Sequence, residues 1–63
     1  MKMKELKALA GKIAKCERTI ANSEDQQVIH QAEDELMRLS SCVDSLADMM
    51  KIDELVMEIL EKN

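Results

Sequence analysis

The stretch "ADMMKIDELVMEIL", residues 47–60, decides how this chain folds. Nine of its fourteen residues are apolar, so it must find cover. It holds neither Gly nor Pro, the usual marks of a turn. Its register can be traced from upstream. Ile29, Ala32, Leu36, Leu39, Val43, Leu46 and Met50 step by three and four residues, as the seam of a coiled coil does. The next seam position is Asp53. From there the apolar stripe becomes Met49, Ile52, Val56 and Ile59, with Leu55 and Leu60 beside it. The stripe has jumped by three residues. In one continuous helix such a jump is a stammer. Otherwise Asp53 caps a short third helix, with Ile52 and Met57 placed as a hydrophobic staple. The spacing favours a bend or break near Asp53, while every residue over 49–54 tolerates helix.

Further upstream, "ANSEDQQ", residues 21–27, is the one strong boundary. Ser23 and Gln26 have the spacing of a capping box, with Glu24 and Asp25 in the first turn, where the helix dipole favours negative charge. Asn22 is an alternative cap. Before it, Leu6, Leu9, Ile13, Cys16 and Ile20 form a second stripe, which Ala10 and Ala14 widen. Gly11 lies opposite, where it weakens the helix by roughly 1 kcal/mol relative to Ala.

The expected fold is therefore all-α, one domain over residues 1–63. Helix 1 covers about 3–21, helix 2 about 24–50, and a third helix or continuation about 53–62. A tight turn at residues 22–23 makes helices 1 and 2 an antiparallel hairpin. Its register sets Cys16 against Ile29, Ile13 against Ala32, Leu9 against Leu36 and Leu6 against Leu39. Lys12 falls on the same flank as Glu35. Cys42 is then about 20 Å along the helix from the partner of Cys16, too far for a disulfide within the hairpin.

Composition narrows the function. A chain of 63 residues can turn little of its surface into interior. It has no aromatic residue, so its core is Leu, Ile, Val, Met and Ala, and six methionines make that core adaptable. Residues 1–21 hold six cations and two acids, whereas residues 24–63 hold three cations and eleven acids. Such halves attract each other, which predicts pairing within the chain or between subunits. No apolar run suits a signal peptide or a membrane span, so a cytoplasmic location with reduced cysteines is expected.

Helix 1 is too short to cover a hairpin partner that stays apolar to Leu60. Val43, Leu46, Met49, Met50, Ile52, Leu55, Val56, Ile59 and Leu60 are therefore the candidate contact residues for a partner or a second copy. A homodimer, as a four-helix or six-helix bundle, covers this surplus economically. Met49, Met50 and Met57 cluster there, and methionine-rich surfaces adapt to partners. The rival reading is RNA or DNA binding through the basic face of helix 1, with Lys4, Lys7, Lys15 and Arg18 on phosphates. A net charge of −4 argues against it.

Catalytic patterns are absent from the sequence. Glu33, Asp34 and Glu35 are consecutive and splay around a helix. His30 has Glu33 and Asp34 at its helical neighbours, where a metal site wants His or Cys. There is no CxxC, no phosphate-cradling loop and no nucleophile motif, so the chain is expected to be no enzyme and to take no cofactor. Cys16 reads as a small core residue and Cys42 as its flank.

In length, basic first helix and short turn the chain is similar to the Rop family of RNA-binding helical hairpins. The RNA face of that family includes an aromatic residue and this chain has none, so no site carries over. In size, composition and helical build it also resembles the small all-helical proteins of the early exo–xis region of lambda-like phages. No signature motif carries that resemblance. It implies a non-enzymatic factor that perturbs host regulation by binding a host regulatory protein.

Overall fold

The chain turns well before Asp53. A computed structural model describes residues 1–62, and in it three helices follow one another: α1 (Met3–Asn22), α2 (Gln26–Ser41) and α3 (Leu46–Glu61). No strand occurs among the described residues. Residues 47–60 belong to a single helix, and Asp53 is an exposed residue in its middle. The long helix expected over 24–50 is instead two helices, parted at residues 42–45.

The physical reason lies in local chemistry. The Ser41 hydroxyl donates to the Arg38 carbonyl at 2.7 Å, and the Cys42 and Val43 amides reach back only three residues, to Leu39 and Ser40, at 3.2 Å each. These short-range bonds tighten the last turn and end α2. Ser45 is extended, with φ −118° and ψ 137°, and its carbonyl accepts the Met49 amide at 3.0 Å to open α3. Ser45 and Asp48 have the spacing of a capping box. Ser45 takes the cap position without a side-chain bond there. The Asp48 carboxylate instead lies 3.5 Å from the N-terminal ammonium of Met1.

The first link differs from expectation too. Asp25, not Ser23, caps α2, and its carboxylate accepts the Gln27 amide at 2.9 Å. Ser23 already closes α1, its amide donating to the Thr19 carbonyl at 2.9 Å. Its hydroxyl oxygen then accepts the Asp25 amide at 3.2 Å, so one serine shapes the whole link.

α1 is the shared neighbour. It packs against both α2 and α3, which scarcely touch each other. The buried core joins Leu6, Ala10, Ile13 and Ala14 of α1 to Ile52 and Val56 of α3. Ala10 is fully enclosed and Ile52 is 1% exposed. Small side chains on α1 let α3 come close, and burying Ile52 contributes ~1.5–3 kcal/mol. From α2 only Ala32 is buried, while Leu36 and Leu39 are half-buried against the core. The width of the α1 stripe thus reflects two partners rather than one. Two contacts give α1 and α3 the same direction. Met1 meets Asp48 near their starts, and the Arg18 guanidinium donates to the Ile59 carbonyl at 3.2 Å near their ends.

Candidate protein-interaction site

α3 carries two apolar stripes, and the structure separates them. Ile52 and Val56 face α1 and lie in the core of the chain itself. Val43, Leu55, Ile59 and Leu60 pack half-buried around that core, and Met49 is half-buried as well. Of the nine candidate contact residues, Leu46 and Met50 point outward, 78% and 61% exposed. Met57 joins them at 62%. Spacings of four and seven residues put these three on one side of the helix. Their stripe continues the heptad phase of Leu36, Leu39 and Val43, whereas Ile52 and Val56 hold the new phase.

The outward stripe is bordered by carboxylates. Asp53, Glu54 and Glu61 are exposed on the same half of α3. Lys51 is the only cation of α3, and its ammonium lies 3.5 Å from Glu54. On α2, Met37 stands out at 72% exposure, a residue to which the sequence pattern gave no role. It falls between seam positions Leu36 and Leu39, so the pattern marked it as surface without singling it out.

The cations of α1 divide as well. Lys4, Lys7 and Lys15 are exposed, as is Lys12. Arg18 is half-buried and turned toward the C-terminal turn of α3, where a cation complements the helix dipole. The set expected for phosphate contacts therefore loses its arginine to the fold.

Between α1 and α2 runs an open groove of about 460 Å³, with Cys16, Ala32 and Leu39 along it and Lys12, Lys15 and Glu35 at its sides. Burial, and next the Glu35 carboxylate, push the Cys16 thiol up from its ordinary value, so it stays protonated at neutral pH and is a poor nucleophile. Cys42 is exposed, its thiol 3.4 Å from the Arg38 carbonyl, and both cysteines are free. His30 lies 3.9 Å from Glu33 on open surface. Among the described residues no cluster of His, Cys, Asp or Glu is arranged to hold a metal ion, and no polar side chain is buried. No helix is long and apolar enough to cross a membrane.

No protein-family model, no curated protein and no solved structure matches the chain.

Proposed function

We propose that this protein is a non-catalytic, self-associating helical protein that acts by protein–protein contact through the outward face of α3. One observation carries the reading. Leu46, Met50 and Met57 stand exposed in a row on a helix whose opposite face is already packed against α1. Scattered exposed apolar residues need no explanation, but an aligned set rimmed by charge is the usual form of a contact surface. Methionine suits it, since its flexible thioether fits partners of differing shape. The resemblance to early phage proteins extends the reading to a host regulatory protein as the external target, with a homodimer as the resting form.

The test uses substitutions that spare the core. Val56 supports the fold and is the wrong place to probe binding. Met50→Glu with Met57→Glu changes only exposed positions. The variant is expected to keep its helicity by circular dichroism and to lose the partners that the wild type recovers from a bacterial lysate. Equal recovery by both forms would remove α3 as the contact face.

A further inference from the structure

Apart from the Met1 ammonium beside Asp48, the basic first segment and the acidic remainder form no ion pair with each other among the described residues. α1 carries five cations and two acids, and α3 one cation and five acids. The two helices lie side by side, yet among the described residues no lysine of α1 comes within salt-bridge distance of an acid. Their contact is mainly apolar, with Lys7 and Glu58 along one groove between them but no ion pair there.

The outward arc of α1 holds Lys4, Lys7, Ala8, Gly11, Lys12 and Lys15, all exposed, with no acid among them. Its middle is low. Ala8 and Gly11 offer almost no side chain, and a Cβ built on Gly11 meets nothing within 4 Å. Lysine stems stand around this floor, apolar along their length and charged at the tip. The outward arc of α3 has the opposite relief. Leu46, Met50 and Met57 project from it, flanked by Asp53, Glu54 and Glu61. Within one chain the two arcs cannot meet, because the helices already touch through their other sides.

We propose that these arcs meet between chains: the outward face of α3 docks on the outward face of α1 of a second copy. The methionines lie over Ala8 and Gly11, and the carboxylates pair with the lysines around them. This rests on the reading of α3 as a protein-contact face and adds what that face meets. A second copy fits the α1 arc better than nucleic acid does. A glycine within a helix serves close approach by another chain. The chain has no aromatic residue on which a base could stack, and Arg18 is turned to α3. Phosphates would also leave the exposed methionines unaccounted for.

A contact between unlike faces can be broken from either side and restored by exchanging charges, and the experiment uses that. One variant inverts two charges of the α1 face, Lys7→Glu with Lys15→Glu. The other reverses the α3 face, Asp53→Lys with Glu61→Lys. All four positions are exposed, so circular dichroism should show unchanged helix. In sedimentation equilibrium the wild type is expected to self-associate, with an association constant that falls at least ~10-fold between ~0.02 and ~0.5 M salt. Each variant alone is expected to associate at least ~10-fold more weakly than wild type, because two like-charge pairs replace two attractive ones in each contact. An equimolar mixture is expected to associate about as strongly as the wild type, the intact α3 face of the first variant meeting the intact α1 face of the second and the two altered faces meeting each other. Combining all four substitutions in one chain should restore association.

A mixture that stays monomeric while the wild type associates would overturn the proposal. If Met50→Glu with Met57→Glu still abolished wild-type association in that case, α3 would stand as the contact face and only its docking site on α1 would fall. A wild type that stays monomeric at low salt overturns the proposal as well. Binding of duplex DNA or structured RNA by that monomer, lost on Lys7→Glu with Lys15→Glu, would assign the α1 arc to nucleic acid instead.

Discussion

Gly11 stands where a helix gains least from it. It lies mid-helix on the exposed side of α1, and nothing inside the chain needs the missing side chain. Gly11→Ala should therefore raise stability by about 1 kcal/mol, read as a higher urea midpoint at high salt, where docking is screened. A loss of stability would mean that the backbone at Gly11 departs from the helix described. Ile52 and Leu46 make the reverse contrast, both large and apolar, at 1% and 78% exposure. Ile52→Ala should cost ~2–5 kcal/mol of monomer stability, and Leu46→Ala about 0.5 kcal/mol or less. Comparable losses would place Leu46 in the core. The two thiols differ in the same way. Cys42 should react with a disulfide reagent at the rate of an exposed cysteine, and Cys16 only as fast as the chain opens. Because the Cys16 thiol is pushed up in the folded chain, the unfolded chain ionises first. Its contribution to stability is full below the ordinary thiol range and is lost as the pH rises through the folded value. Cys16→Ala should flatten that alkaline decline. An unchanged decline would show that other groups cause it.

At the scale of the element, α2 is the loosest part. It buries only Ala32, its main neighbour is α1, and its charged side chains are on the surface. Local stability follows buried apolar contact. Amide hydrogens of α2 should exchange before those of α1 and α3, and equal protection across all three would show that α2 is held by more than its own packing. The elements also show what the sequence reveals and what it hides. The α1 stripe was legible, because Leu6, Ile13 and Cys16 keep helical spacing with no interruption. That residues 47–60 tolerate helix was legible, but the jump in spacing favoured a bend or break near Asp53, where α3 in fact runs on. The break at residues 42–45 was not legible, because Val43, Leu46 and Met50 carry the heptad phase straight across it. The phase jump was real, but it marks a helix that had already started at Leu46, not one starting at Asp53. The Ser45–Asp48 spacing was the available signal. At the proposed contact face the pattern could not choose between two apolar stripes of one helix. Only the position of α1 makes Ile52 interior and Met50 exterior, and that position depends on where the chain turned. The first cap was misread more locally, since Ser23 was assigned to α2 while it was already closing α1.

Across the whole molecule the interior is small, a few leucine-, isoleucine- and valine-sized side chains around two alanines. Under the proposed self-association, contact between copies supplies a large share of stability. The melting temperature should rise with protein concentration, and a melting point constant across a hundredfold range would mean that the monomer stands alone. The place of α1 has one more consequence, in time rather than in space. The first helix of the chain shares its core with the last, so Ala10 finds its cover only when Ile52 and Val56 arrive. Pairings so distant in sequence make folding slow for an all-helical chain. A fragment that ends before α3 leaves the α3-facing side of α1 uncovered. Such a fragment exposes apolar surface and is prone to aggregate.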